Sequence, residues 1–262
     1  MQTIHPTAII EDGAVLGENV TIGPFAYITS KVTIGDGTTI ASHVVIEGNT
    51  TIGKNNRIFS HGVIGSIPQD LKFNNEDVKL SIGDNNTIRE FAFINPGTIG
   101  GGSLTTIGDN NLLMGYVHIG HDIIIGDYCI IANATNLGGH VEIGNRVVIG
   151  AMSAVHQFVK LGDYSMLAGA SALTQDLPPF CMAQGNHAYL RGLNITGLRR
   201  NLPRETINEL KKAYKGLFEE GKALQEVANN YSTNSNSTAI TQMSEFIQNS
   251  KRGIAFKRKI DV

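Results

Sequence analysis

Residues 119–172, read in steps of six as IGHDII IGDYCI IANATN LGGHVE IGNRVV IGAMSA VHQFVK LGDYSM LAGASA, decide the fold of this chain. An aliphatic residue opens every hexad, and the same step holds from Ile4 to Ile64, from Ile82 to Ile94 and from Ile107 to Leu173. Hexads of this kind are a signature of parallel β-helices. The opening residue is often followed by Gly, as in Ile22-Gly23, Ile125-Gly126 and Ile143-Gly144. The fifth position is small or β-branched, as in Val20, Val32, Thr38, Val44, Val141 and Val147. One hexad then makes a short flat strand and a corner, with two side chains inward and the rest outward. The glycines are expected to relieve the backbone where the chain bends. Three hexads close an 18-residue triangular coil that pairs with the next at roughly 4.8 Å. A heptad coiled coil would need a period of 3.5. The 30 glycines and the β-branched anchors also argue against helix. The expectation is an all-β parallel β-helix over residues 1–178.

Two stretches break the period. Residues 65–81 (GSIPQDLKFNNEDVKLS) have no repeat character, and residues 95–106 (NPGTIGGGSLTT) are glycine-rich with an offset that shifts the step. A solenoid that leaves its own period often does so to carry binding residues, so both read as functional loops. After Pro178-Pro179 the repeat stops, and residues 179–202 read as a connector without a clear period. A helical C-terminal domain is expected over residues 203–262. It starts at Pro203 with Ile207, Leu210, Tyr214, Leu217 and Phe218 at helical spacing. The polar run 229–238 reads as an inter-helix loop, followed by a helix over roughly 239–250 and a basic tail with Lys251, Arg252, Lys257, Arg258 and Lys259.

The chain has 262 residues and a formal net charge of −2, which gives no support for nucleic-acid or general membrane binding. It contains no apolar run long enough for stable membrane insertion. The repeat begins at Ile4, leaving no room for a signal peptide, so a cytoplasmic location is expected. Cys129 falls at an inward position and Cys181 beyond the last hexad, so the two are not expected to pair.

The 18-residue coil turns sequence distance into spatial neighbourhood. Hexads opening at Ile119, Leu137 and Val155 stack, and they carry His121, His140 and His156. His118 ends the hexad before His121, which brings four histidines onto one strip. Imidazoles suit proton transfer near neutral pH. Asp122 is placed to orient His121, and Gly139, one coil on, offers an unshielded backbone N–H to a developing oxyanion. Base, orienter and oxyanion donor describe acyl transfer to a hydroxyl or amine. Neither cysteine lies on the strip and no serine stands out as a partner, which favours direct attack by the acceptor. His43 and His61, at outward fourth positions, read as ordinary surface residues.

The segments LLMGYVHIGHD (112–122), LGGHVEIG (137–144), AVHQF (154–158), AQGNHA (183–188) and GLNITGLRR (192–200) resemble the UDP-N-acetylglucosamine acyltransferases of lipid A biosynthesis. IHPTAII, IGPFAYI and SIPQDLK (66–72) fit as well, so the resemblance covers essentially the whole chain. It implies a left-handed coil, against the usual hand of parallel crossovers. The implied reaction moves an R-3-hydroxyacyl chain from acyl carrier protein to the 3-position of the UDP-sugar, in a homotrimer with active sites between prisms. The family's general base falls on His121, its supporting carboxylate on Asp122 and its polarising amide on Gly139. Substrate contacts fall on Asp70, Lys72, His118, His140, His156 and Gln157, with Asn194 and Arg200 at the nucleotide. Gly169 is a candidate for the end of the acyl groove. Arg199, Arg200 and the basic C-terminal segment offer a landing surface for an acidic carrier protein. No metal or other cofactor is implied.

Two departures stand out: Asn95 where many relatives have histidine, and Thr196 where an acidic residue is common. They leave open a 3-amino acceptor, giving an amide product, in place of the 3-hydroxyl. The N-acyltransferase of the same pathway carries an additional N-terminal domain, whereas the hexads here begin at Ile4. Acetyl-coenzyme A-dependent enzymes of the same repeat would not explain the loop and C-terminal matches. A trimeric zinc carbonic anhydrase on this prism needs three converging imidazoles, yet His118 and His121 on a flat strand face opposite ways. A purely structural β-helix would not be expected to keep the His121-Asp122 pair.

Overall fold

The structure, a computed structural model, describes residues 2–256. The repeat folds into a left-handed parallel β-helix with three flat faces. The first face has 11 strands beginning with Thr3–Ile4, the second 9 beginning with Ile9–Ile10, and the third 8 beginning with Val15–Leu16. Each hexad contributes a strand that pairs in parallel with the strand one coil away, in registers such as Ile4↔Ile22, Ile10↔Ile28 and Leu16↔Ile34. Hexad-opening residues therefore stack on one another and are buried along three inner columns, with fifth-position residues such as Val20, Val44, Val117 and Val141 between them. The core is a single continuous cluster running the length of the prism.

The corners differ from the sequence expectation in one respect. The residue in the left-handed backbone region is the fourth of the hexad and is mostly not glycine: Phe25, His43, Asn85, Tyr116, Asp122, His140 and Tyr164 all have φ between 55° and 65°. Such a conformation costs a non-glycine residue roughly 1–2 kcal/mol, which the two flanking strands must outweigh. The second-position glycines serve close packing instead. A Cβ on Gly35 would sit 2.6 Å from the Gly53 carbonyl carbon one coil above.

Midway along the corner between the third and first faces, the fifth position carries polar side chains in place of the aliphatic Val20 and Val147 found nearer its ends. Asn56, Asn86 and Asn111 are buried and form a ladder. The Asn86 side chain accepts from the Asn111 amide at 2.8 Å and donates to the Gly108 carbonyl at 2.9 Å. Asn56 does the same with Asn86 and Gly83. Each amide thus satisfies backbone groups that the turn leaves unpaired. Cys129 continues this column, and burial pushes its thiol up to about 12. Cys181 is likewise a buried free thiol raised by burial, so the two cysteines are unpaired core residues.

The two interruptions end sooner than the sequence suggested. Lys79–Ile82 and Leu104–Ile107 are already strands, and Lys79–Ile82 pairs over four residues with both Leu104–Ile107 and Asn49–Ile52. Their polar outward residues hid the alternation that places Leu80 and Thr105 in the core. After the last hexad, Cys181–Gln184 and Tyr189–Leu193 form an antiparallel hairpin that extends the first face. Four helices follow: α1 (Ile195–Asn201), α2 (Arg204–Phe218), α3 (Leu224–Asn234) and α4 (Thr238–Gln248). The polar run 229–238, expected as a loop, is mostly the second half of α3. Ala228 is fully buried and Tyr231 packs against the core there, so tertiary packing overrides weak propensity. Gln242 of α4 donates to Asp163 at 2.7 Å and Ser250 to Asp176 at 2.6 Å, tying the helices to the prism. Lys257, Arg258 and Lys259 lie outside the described residues.

Substituting Asn86→Ala should strand the Gly108 carbonyl and the Asn111 amide in a dry interior, at a cost of about 2–4 kcal/mol. Chemical denaturation reads this directly. A loss below about 0.5 kcal/mol would mean that the ladder is not what satisfies these groups.

Candidate active site

Both insertions and the histidines fall on one corner of the prism, the one between the second and third faces. The strand pairs His118–Ile119 and Ile124–Ile125 bracket it in one coil, Phe93–Ile94 and Leu104–Ile107 in the coil below. One consequence revises the expected strip. His121, Gly139 and Gln157 occupy equivalent positions 18 residues apart, as do Asp122, His140 and Phe158, so the histidines are offset around the bend rather than stacked in a column.

The centre of the corner is a histidine–carboxylate pair. His121 Nδ1 lies 2.8 Å from Asp122 Oδ2. With Nδ1–H donating to the carboxylate, the Nε2 lone pair is left as the base. The Asp122 side chain is fully excluded from solvent, while His121 keeps 17% exposure. The next coil presents Gly139 to the ring: a Cβ there would sit 2.6 Å from His121 Nε2 and 2.5 Å from Cε1. Only a residue without a side chain lets the imidazole lie against this backbone. The Gly139 carbonyl accepts from Phe158 at 3.1 Å, while its N–H has no hydrogen-bond partner among the described residues.

His140 stands edge-on to His121, with ring centroids 5.0 Å apart at 89°, and stacks on Phe158 at 4.4 Å. Burial pushes its imidazole below the usual histidine range, opposed by the Asp122 charge. His118 stacks on Phe93 at 5.3 Å, and its Nδ1 is buried without a partner among the described residues. Burial lowers it too, and His121 adds to the effect. His156 and Gln157 are exposed at the edge of the corner, with His156 Nδ1 turned to the Gln157 carbonyl at 3.1 Å.

The first insertion brings Asp70 and Lys72 over the same corner. With Thr98, His140 and Phe158 they line a cleft of about 330 Å³. The Asp70 carboxylate accepts from the Lys72 amide at 3.0 Å, which leaves the Lys72 ammonium exposed at the mouth. Asn95 is fully buried, and its side-chain amide donates to the Ser66 and Ile67 carbonyls at 3.0 Å each. The departure at position 95 thus acts through the first insertion, which it anchors.

Four expected site residues lie elsewhere on the chain. Gly169 is exposed on the corner between the first and second faces. Asn194 is buried at the start of α1, accepting from Gly197 at 3.2 Å and donating to the Tyr164 carbonyl at 3.0 Å. Arg199 and Arg200 are exposed in α1, beside the corner between the third and first faces. His43 and His61, read as plain surface, form a continuous stack with Phe25, Phe91 and Tyr116 at 4.8–5.0 Å spacing along the Gly169 corner.

His121, Asp122 and His140 place three possible ligand atoms within 4.8 Å of one another. The Asp122 oxygens, however, already accept from His121 and twice from Thr98. That carboxylate is matched to N–H and O–H donors, and only two imidazoles converge on it, so the set does not fit zinc with three histidines.

Comparison with known proteins follows the same lines. A family model described as Udp N-acetylglucosamine O-acyltransferase, domain 2, matches residues 176–255, and one for the bacterial transferase hexapeptide matches residues 104–139. A Sulfurovum protein named acyl-[acyl-carrier-protein]–UDP-N-acetylglucosamine O-acyltransferase is 66% identical over 259 residues, covering 99% of this chain and 100% of that one. The chain belongs to this family of acyltransferases. A relative of the same name from Aliarcobacter butzleri is 60% identical over 260 residues, covering 99% and 100%. The solved UDP-N-acetylglucosamine acyltransferase from Campylobacter jejuni superposes with a TM-score of 0.95 at 44% identity, covering 98% of this chain and 100% of that one. The Arabidopsis enzyme does so at 0.83 and 34%, covering 96% and 99%.

Two outcomes test the site. Gly139→Ala should displace the His121 imidazole and abolish turnover while the circular-dichroism melt stays near that of the unsubstituted protein; retained activity would show that the ring does not lie on Gly139. Because His118 and His140 titrate below the unfolded value near 6.5, the unfolded chain takes up their protons first as pH falls. Their contribution to stability is therefore complete above about pH 7 and declines below roughly 6.5. The decline should flatten in a His118→Gln/His140→Gln variant, and an unchanged pH slope there would assign it to other groups.

Proposed function

We propose that the chain transfers an R-3-hydroxyacyl group from acyl carrier protein to the 3-hydroxyl of UDP-N-acetylglucosamine, the opening acylation of lipid A biosynthesis. The observation that carries this reading is the His121–Asp122 pair lying on the Gly139 backbone, under the insertion that brings Asp70 and Lys72. The relatives named above are O-acyltransferases, which favours the hydroxyl over the amine.

The sugar 3-hydroxyl approaches His121 Nε2, which removes its proton as the oxygen attacks the thioester carbonyl. Asp122 holds the ring in the tautomer that presents Nε2 and stabilises the imidazolium that forms. The Gly139 N–H donates to the oxyanion. Collapse of the tetrahedral intermediate breaks the carbon–sulfur bond. The imidazolium returns its proton to the departing thiolate, leaving an ester and the free carrier thiol. Both cysteines are buried and their thiolates disfavoured, so no acyl-cysteine intermediate is formed. Lys72, exposed at the cleft mouth, is suited to the nucleotide's phosphate charge.

A homotrimer would account for where the remaining residues sit. The His121 pair, Gly169 and α1 occupy three different corners of one prism, so no single copy gathers them. A cyclic assembly uses a heterologous contact, in which one corner of a copy meets a different corner of the next. That arrangement brings Gly169, Asn194, Arg199 and Arg200 of neighbouring copies towards one cleft. It also covers the stacked aromatic column that each copy exposes, with Phe25 at 58% and Tyr116 at 62%. Arg199 and Arg200 are exposed on α1 and suit an acidic carrier protein. Among the described residues no helix is long and apolar enough to cross a membrane. Two unpaired thiols fit a reducing cytoplasm.

The deciding experiment offers purified protein both UDP-sugars, bearing oxygen or nitrogen at the 3-position, with hydroxyacyl donors on carrier protein or coenzyme A. Products are read by mass spectrometry. Ester formation from carrier-protein donors is expected, with His121→Ala lowering the rate about 10²–10⁴-fold. An unreactive wild type, or a His121→Ala variant within a few-fold of it, overturns the reading.

A further inference from the structure

The second insertion touches the catalytic pair from behind. Across 24 residues of sequence, Thr98 donates its backbone N–H to Asp122 Oδ1 at 2.8 Å. Its hydroxyl donates to Oδ2, the oxygen that holds His121, at 2.6 Å. The turn that follows, Ile99–Gly101, closes over the carboxylate so tightly that a Cβ on Gly101 would sit 2.0 Å from the Asp122 carboxyl carbon. Thr98 is itself 8% exposed, and its amide marks the start of that turn.

This geometry assigns a task. Asp122 sits in the left-handed region at φ 58°, and its strands hold its backbone, yet nothing in the hexad fixes the plane of its carboxylate. A carboxylate with a single donor can turn about its Cβ–Cγ bond and offer His121 either a good or a poor lone pair. Two donors on adjacent atoms of one residue, one to each oxygen, remove that freedom. The charge is meanwhile sealed from water, with the Asp122 side chain fully buried, so its interaction with the imidazole is undiluted by solvent.

We infer that Thr98 is a positioning residue for the acyl transfer: by clamping both oxygens of Asp122, it sets the plane in which the carboxylate holds His121. The inference rests on the acyltransferase reading for its rate measurements, but not for its structural signature. Residues 95–106 thereby acquire two linked duties. Asn95 ties down the insertion that carries Asp70 and Lys72, and Thr98, three residues on, ties down the carboxylate behind the base. Thr98 borders the cleft, but its hydroxyl and backbone N–H are both taken up by Asp122, so its part in the reaction is exerted through that carboxylate.

The test is Thr98→Val, which keeps the shape and the backbone donor and removes the hydroxyl, alongside Thr98→Ser, which restores it. A hydrogen bond to a buried charge is lost, so kcat should fall by about tenfold or more with KM for the UDP-sugar within about twofold. Thr98→Ser should recover most of the rate. In an Asp122→Asn background, Thr98→Val should cost little further, because the group it acts through is gone. Independently of substrate, the His121 Nδ1–H proton resonance should move upfield in Thr98→Val and return in Thr98→Ser. A Thr98→Val variant that keeps its kcat overturns the proposal, as does one that loses the same factor in both backgrounds. An unchanged Nδ1–H resonance does so too. A wild type inactive with every donor would instead overturn the acyltransferase reading, leaving the resonance to judge Thr98.

Discussion

Coil-on-coil backbone pairing is the constraint from which the rest of this molecule follows. Each strand is only two residues long in most turns, so no strand has stability of its own. The ladder exists because, outside the two insertions, each strand residue finds its counterpart 18 positions away, with most hexad-opening Ile, Leu and Val in three buried columns. That register is rigid to a degree that a loop-based site is not. A displacement of His121 against Gly139 would require breaking the ladder between Gly120 and Leu137 and between His140 and His121, at 3.1 and 3.0 Å. The geometry of the proposed site is a by-product of the repeat: the distance from His121 to the Gly139 backbone is the distance between coils.

The repeat also sets where function can be added. An insertion inside a strand would break two ladders, whereas one at a corner leaves both neighbours paired. Both insertions use the same corner, and both return in strands of four residues that pair with each other. The longer pairing anchors the segments that reach over the cleft. The corner so decorated becomes concave, which an outward-facing prism edge otherwise is not, and concavity is what excludes water from a site. The asymmetry is chemical as well. The corner between the third and first faces carries side-chain ladders that satisfy backbone amides, such as Asp109 on Asp84 and Asp127 on Asp109, at 2.6 and 2.7 Å. The corner between the first and second faces carries stacked rings, and among the described residues only the corner between the second and third carries imidazoles beside a buried carboxylate.

The parts of this architecture legible in the sequence are those that obey the period. Counting in steps of 18 from His121 reaches Gly139, and adjacency alone pairs His121 with Asp122, so the juxtaposition of these three residues is readable from the period. Thr98 was not. The insertion that contains it destroys the count, and its partner lies 24 residues away. The same break concealed the contact from Asn95 back to Ser66 and Ile67. Stacking of His43 and His61 with Phe25, Phe91 and Tyr116 obeys the register, yet polarity alone suggested a solvated surface. The corner glycines misled in a different way, since the strained backbone belongs to the fourth residue while the second is small to admit the next coil. In the C-terminal part the polar half of α3 carries too little helical pattern of its own, and contact with α2 and α4 decides its state.

Electrostatics supplies the last link between fold and chemistry. Among the imidazoles at the corner, His118 and His140 are held below the ordinary range by burial. Burial thus disfavours the charged form of both beside His121. Asp122 is the one buried anion in contact with the base, and its remaining capacity is filled by Thr98. On the proposed reaction the atom suited to take the proton is His121 Nε2, since Nδ1 is engaged by Asp122. A flat prism edge with four exposed histidines would share that proton among them. Burial of two, exposure of His156 at the rim and the sealed carboxylate leave His121 as the member of the cluster that the proposed reaction uses as its base.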